Sequence, residues 1–382
     1  MMGTIHKALT AWIGFGCLWL GVPAAADDRA AHLPADLEGQ VRKSIDRALS
    51  FLRSAQKDDG GWADQHAPAI NAIVARAFAL DRGHGPNHPI VRRALASILR
   101  QEQSDGGIYD RGQNLANYET SVVLMFLSSL DDPTLRPRIA KAQAYLTSLQ
   151  FDQGESIDPR NNWYGGAGYN QAKRPDLSNT QMMIDALHQS GLSKSDPVYQ
   201  RAMVFVSRCQ MNSATNDQDF ARESSDGGFI YSPNENGESK ASIEVPEGKA
   251  ALRSYGSMTY AGFKSMLYAN LKRDDPRVKA CHGWIKRHYT LDKNPGMPGA
   301  RAREGLYYYY HVFAAALEAW GEPVVVDDRG QSHHWRIDLC RKLLSLQKPD
   351  GSWINDQTRW LEGQPIYVTG LMVQTLQVAA GE

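Results

Sequence analysis

The strings "QKDDGGW" (56–62) and "QKPDGSW" (347–353) place a glutamine, a glycine and a tryptophan at the same offsets in the first and last fifths of the chain. Aligned on the glutamine, related segments recur: "RALSFLRSAQ" (47–56), "RALASILRQEQ" (93–103), "KAQAYLTSLQ" (141–150), "RAMVFVSRCQ" (201–210), "KACHGWIKRHY" (279–289) and "RKLLSLQ" (341–347). Their anchors, Gln56, Gln103, Gln150, Gln210, Tyr289 and Gln347, are 47, 47, 60, 79 and 58 residues apart. A period in this range that lengthens only between units is the signature of a repeated supersecondary element. Each copy opens on a basic residue, carries apolar residues one to two turns later and ends polar, as an amphipathic helix with one solvated face does. Most are followed by Asp-Gly-Gly or Asp-Gly-Ser and then by Trp62, Ile108, Phe229 or Trp353. Asp and Gly supply the side-chain hydrogen bond and the positive φ that reverse a chain.

Between these turns lie more apolar segments: "NAIVARAFAL" (71–80), "TSVVLMFLSSL" (120–130), "TQMMIDALHQSGL" (180–192), "TYAGFKSMLYANL" (259–271), "YYHVFAAALEAW" (309–320) and "TGLMVQTLQVAA" (369–380). Helices apolar on nearly every face are buried on every face. Six polar-faced helices alternating with six buried ones predict an all-α toroid: six helix hairpins, with an inner ring of parallel helices inside an outer ring. Asp131-Asp132-Pro133 and Asp274-Asp275-Pro276 read as connectors, and no segment of β period competes.

The chain has 382 residues, 42% of them apolar and 22% charged, with a formal net charge of +0. That is ordinary for a globular chain and argues against nucleic acid as the main partner. A weakly basic start (His6, Lys7), an apolar run from Leu9 to Val22 and Ala24-Ala25-Ala26 read as a signal peptide over 1–26, with the exported chain beginning near Asp27. An uncleaved anchor is the alternative, although the run is short for a span of about 20 residues. Cys17 lies inside the run without a lipoprotein pattern, while Cys209, Cys281 and Cys340 stand in apolar helical contexts. They read as buried thiols rather than a disulfide framework.

Arg47-Ala48, Phe51-Leu52, Gln56, Gly60 and Trp62 resemble the "QW" repeat of squalene–hopene and oxidosqualene cyclases. The six-pair plan is similar to the wider prenyltransferase and squalene-cyclase superfamily, over a single domain at 40–382. The resemblance implies that these residues are structural, the glutamine tying a helix end and the tryptophan stacking beside it. It also implies a place to look for chemistry, because class II cyclases carry Asp-x-Asp-Asp-Thr at the start of an inner helix and protonate substrate with the central Asp. The inner segments here repeat a Thr at that place (Thr120, Thr180, Thr259, Thr369), but only Asp176-Leu177-Ser178-Asn179-Thr180 approaches the pattern, and Ser178 stands where the donor would be. A hydroxyl cannot replace an activated carboxylic acid near neutral pH. The zinc-dependent relatives need Asp, Cys and His on one metal. Cys281 and His282 point about 100° apart on a helix, and His311 has no inner-helix cysteine beside it. The thioester branch needs Cys-Gly-Glu-Gln, which is absent. No metal and no cofactor are expected.

The mouth formed where inner helices begin is the expected site. Asp176, Glu119 and His311 are its candidate catalytic groups. Tyr118, Asn179, Tyr255, Tyr260, Tyr308, Trp360 and Tyr367 should converge beside them, with the insert at 161–180, including Trp163 and Tyr164, folded over as a lid. Aromatic faces with a few polar groups suit a bulky apolar or cationic ligand. Helix N-termini would hold Asp176 and Glu119 ionised, opposing their use as acids unless burial lifts their pKa. Three readings follow. A non-catalytic toroid binding an apolar, isoprenoid-like small molecule is preferred. A cyclase-like enzyme using Asp176 or Glu119 as a non-standard acid is the first alternative, and a glycan-active (α/α)₆ enzyme built on Tyr308 and His311 the second. A peripheral membrane contact is left open.

Overall fold

A computed structural model describes residues 32–243 and 252–381; the expected signal peptide lies outside these residues. The outer helices are α1 (Ala35–Ser54), α3 (Pro89–Leu99), α5 (Arg136–Ser148), α7 (Pro197–Cys209), α9 (Pro276–Arg287) and α11 (Trp335–Leu346). The inner helices are α2 (Ala67–Ala79), α4 (Ala116–Ser128), α6 (Leu177–Gln189), α8 (Gly256–Tyr268), α10 (Leu306–Trp320) and α12 (Pro365–Ala380). Each inner helix packs on the next, and α12 returns to α2, so the inner ring is closed. The outer ring is closed by α1 against α11 and α12. This is the α/α toroid that the repeats predict, and its helices begin a few residues before the apolar segments do.

Three outer helices, α3, α7 and α9, start on His-Pro or Asp-Pro. Asp196 and Asp275 accept the amides of Val198 and Arg277, each at 2.9 Å, while the proline occupies the first helical position, where its missing N–H costs nothing. Inner helices are buried almost throughout, with Ala75, Phe126, Phe263, Phe313 and Val373 all at 0% exposure. Sequence analysis shows no strand, but Val324–Val326 (β1) and Ser332–His334 (β2) form a short antiparallel hairpin between α10 and α11. Its turn is set by Asp327, whose carboxylate accepts the amides of Arg329 and Gln331, with Gly330 at positive φ.

The seam between repeats uses one design several times. Gln56 donates to its own turn at Gly60 O (2.9 Å) and to Ile90 O in the next outer helix (3.0 Å). Gln150 bridges Gly165 O and Val198 O, Gln210 bridges Gly227 O and Arg277 O, and Gln347 bridges Gly351 O and Ser44 O. The glutamine therefore ties its turn to the following outer helix, a wider job than capping its own. Gln347 and Ser44 join the last outer helix to the first. An arginine one helical turn along the receiving helix completes three of these seams, Arg93 to Gln56, Arg201 to Gln150 and Arg47 to Gln347. At the corresponding place facing Gln210 stands Ala280, and Gln210 Oε1 has no partner among the described residues. Gln103 departs further and turns back onto Gln101 O and Tyr109 O.

The first turn glycine sits at positive φ, and a Cβ there would meet the next outer helix, as at Gly60 against Arg93 O (2.5 Å) and Gly351 against Arg47 O (2.6 Å). The tryptophans fold back as expected. Trp62 Nε1 donates to Leu52 O at 2.7 Å and Trp353 Nε1 to Leu343 O at 2.9 Å. At Tyr289 the device changes but not the job: its hydroxyl donates to Asp338 of α11 (3.1 Å) and its ring stacks on His333 (4.1 Å).

Candidate functional site

The repeated inner-helix Thr fixes the register of the lumen. Thr120, Thr180, Thr259 and Thr369 each accept, through the hydroxyl, the amide of the residue after the preceding turn (Ile108, Ala167, Phe229 and Trp353, at 3.0–3.1 Å). Asn71 does the same for Trp62 at 2.7 Å. These residues are therefore locks between turn and inner helix, and Tyr310 holds the matching place in α10. Residues two before each lock form one layer: Ala69, Tyr118, Ser178, Ser257, Tyr308 and Tyr367. Residues five beyond form another: Arg76, Met125, Asp185, Lys264, Ala315 and Gln374. Tyr118, Met125, Ser178, Tyr308, His311 and Arg76 keep partial exposure inside an otherwise buried ring, which marks the lumen.

In the upper layer Tyr118 lies beside Tyr367 and Tyr308 beside Ser178, and Gln181 Nε2 donates to Tyr308 at 3.0 Å. Burial pushes Tyr118 up to about 12, so these phenols stay neutral donors and acceptors. Asp176 caps α6 just outside this layer. Its two oxygens accept the backbone amide and the side-chain amide of Asn179, at 2.9 and 2.7 Å. Burial outweighs these bonds and lifts Asp176 to about 6. Glu119, fully buried, accepts Asp110 N at 2.7 Å, while its second oxygen has no partner among the described residues, and burial lifts it to about 7. The expectation that helix N-termini would dominate these two carboxylates is thus reversed, because desolvation is the larger effect.

Asp176, Glu119 and His311 do not form one cluster; each has its own set of partners. Glu119 ties the loop before α4. His311 lies deeper, against Thr375 Oγ1 at 3.2 Å, and burial beside Lys264 and Arg76 pushes it down to about 3, so it is a neutral imidazole. Tyr255 stands within electrostatic reach of Tyr308 and Asp176 at the mouth. Tyr260 turns instead into the α8–α10 seam, against Tyr309 and Phe313 at 5.6 and 5.0 Å. Trp360 lies on the rim, 37% exposed, against Gly305 and beneath Arg359.

The 161–180 insert divides. Trp163 packs edge-on to Phe151 (5.2 Å), Tyr164 reaches Gln153 (3.3 Å), and Arg208 holds Asn161 O on the outer flank. Only its second half crosses the mouth, where Asn117 bonds Gly168 O and Tyr169 O. Residues 231–234 cover the start of α6: Leu177 N donates to Tyr231 O at 2.8 Å, and Ser232 and Asn234 both bond Pro175 O.

Two groups stand out that sequence reasoning passed over. Glu362, fully buried, accepts Asn355 Nδ2 at 2.6 Å and the opening amides of α10, including Tyr308 N at 2.8 Å; burial still lifts it to about 7. Lower in the lumen, Lys264 and Asp185 form a buried ion pair, and Arg76 donates to Gln374 Oε1 at 2.6 Å. The signal was present as single charges inside apolar runs, all five residues past a lock. Two cavities, ≈ 580 and ≈ 500 Å³, open on the flank at equivalent places between repeats, one walled by Trp284 and Ser254, the other by Tyr145 and Ala116. Among the described residues no His, Cys, Asp and Glu side chains gather as a metal site, the three cysteines there are buried and free, and no helix is long and apolar enough to cross a membrane.

No family model and no curated protein matches the chain. Solved structures do. The type II terpene cyclase MstE from Scytonema, in complex with merosterolic acid A, resembles it with a TM-score of 0.54 and 13% identity, over 91% of this chain and 99% of that one. An α-amylase from Clostridium perfringens gives 0.54 and 8% over 88% and 97%, and a D-mannose isomerase 0.50 and 11% over 90% and 99%. At such identities the likeness carries the fold alone, an α/α toroid shared by proteins of different activities.

Proposed function

We propose that this toroid is an exported protein that holds a bulky, isoprenoid-like small molecule in its lumen without starting its cyclisation by protonation. The observation that carries this reading is Ser178. It occupies the lumen layer at the place where a cyclase of this resemblance carries its proton donor, and it stands beside Tyr308. The one carboxylate kept from that pattern, Asp176, is turned to capping, with both oxygens held by Asn179. A neutral tyrosine layer above Ile73, Met182 and Leu371 offers apolar wall and hydroxyl contacts to such a ligand. Complexes of MstE with geranylgeranyl dihydroxybenzoate and with merosterolic acid A give the choice of isoprenoid its support, by likeness of fold.

A second reading has its own observation. Burial lifts Asp176 to about 6, which suits a weak acid. Incubating the protein with squalene, geranylgeraniol and farnesol, beside Asp176→Asn and Glu119→Gln, separates the two. Retention of unchanged substrate by all three proteins is expected. Cyclised product from the parent that vanishes in either variant would overturn the non-catalytic reading. N-terminal sequencing of protein from its native host should find a start near Asp27.

A further inference from the structure

The lower lumen layer carries charges that do not balance. Lys264 is answered by Asp185, both nearly fully buried. Arg76 is held by amides, NH1 on Gln374 Oε1 (2.6 Å) and NH2 on Gln189 Oε1 (2.9 Å). The groups that favour its charge are the phenol of Tyr268 and Asp185, the latter already engaged by Lys264. His311 is neutral and adds nothing. The layer therefore holds one cation more than it holds anions. Arg76 sits in the last turn of α2, where helix carbonyls share positive charge, so the free protein tolerates the surplus.

Hydrogen bonding at this depth is also incomplete. Arg76 Nε is a buried donor without an acceptor, and Asp185 Oδ1 and, one helical turn above it on α6, Gln181 Oε1 are buried acceptors without donors, among the described residues. Asp185 is 4% exposed and Gln181 0%, so bulk solvent does not serve them. Buried polar atoms are ordinarily paired, and exceptions of both signs within one helical turn of the lumen mark a place for a group carrying both acceptor and donor.

We propose that Arg76 is the anchor for the oxyanion of an amphipathic ligand, bound head-down with its apolar chain rising past Met125, Met182 and Leu371 toward the tyrosines. A guanidinium presents a planar fork matched to a carboxylate or phosphate, and Gln374 and Gln189 hold that fork in place. A hydroxyl next to the oxyanion would donate to Asp185 Oδ1 or Gln181 Oε1. The inference rests on the reading of the lumen as the ligand site and adds the chemistry and direction of the head group.

Calorimetric titration of the full chain with decanoate, decyl phosphate and decanol tests it. The better of the two anions should bind at least ~10-fold more tightly than decanol, and which one it is separates carboxylate from phosphate ligands. In Arg76→Gln that preference should collapse while decanol binding stays. Should Arg76→Gln fail to fold, Arg76→Lys keeps the charge without the fork and should retain only part of the preference. Equal binding of anions and alcohol by the parent, or a preference that survives Arg76→Gln, overturns the anchor and leaves the lumen as a neutral site. Failure of all three probes to bind overturns both.

Discussion

The seams between repeats and the layers of the lumen are built from the same helices and obey opposite rules. At the seams the same parts recur: a glutamine amide on two carbonyls, a glycine under the next outer helix, a Thr or Asn lock on the following inner helix. In the lumen each of the six helices brings something different to a given depth, as Arg76, Met125, Asp185, Lys264, Ala315 and Gln374 do at one level. Repetition is what a closed ring requires of its joints, because each joint solves the same geometric problem. Its absence along the axis leaves those positions open to chemical choice, so the candidate site is found where the repeat stops repeating.

The contrast can be broken most forcefully at Trp353, whose ring is completely buried and whose Nε1 bonds Leu343 O. Trp353→Ala should cost about 3–5 kcal/mol in urea or thermal unfolding, and an unchanged melt would remove the seam from its structural role. In the lumen, Lys264→Met alone strands Asp185 without its cation and should cost about 3 kcal/mol or more. The paired change Asp185→Leu/Lys264→Met should recover most of that loss, whereas equal losses for both would make the ion pair a stabilising joint like those at the seams.

Protonation sharpens the comparison further. Glu362 is raised from 4.5 to about 7 by burial, so its protonated form is the one the fold prefers. Its contribution is complete below the unfolded pKa of about 4.5 and is lost as pH rises to about 7, a swing of at most ~3 kcal/mol. Asp176, raised to about 6, acts in the same direction. His311, held near 3, acts in the opposite direction up to about pH 6.5, so the test is a difference: from pH 4.5 to 7.5 the unfolding free energy of the parent should fall with pH relative to that of Glu362→Gln. The smallest effect belongs to the one seam, among the four bridged by a glutamine, that lacks its arginine. Ala280→Arg should give Gln210 Oε1 the partner that Gln56, Gln150 and Gln347 have, raising stability by about 0.5–1 kcal/mol. A loss there would show that the seams are not interchangeable.

Much of this was legible in the sequence, and for a physical reason. Twelve helices, their pairing and the roles of Gln56, Trp62, Gln347 and Trp353 follow from a period and a hydrophobic pattern, both of which a joint repeats. The partner of each glutamine was not legible, because it lies in the next outer helix, 34 residues away for Gln56 and 303 for Gln347. Glu362 escaped notice because it caps a helix it does not belong to. Tyr260 was misplaced by counting helix starts alone, since one residue of rotation turns a side chain from lumen to seam. Arg76, Asp185 and Lys264 were visible as charges in apolar segments, yet only the Thr lock shows that they share a depth.

The clasp of Gln347 on Ser44 changes how the molecule comes apart. An open stack of hairpins can fray from its outermost unit, and its stability grows by increments with each unit added. A closed wheel has no outermost unit: every spoke is flanked on both sides, and none can leave until two neighbouring joints have opened together. Melting should then be a single event over the whole circumference, and a chain recut so that it starts at any other spoke should close on itself as readily.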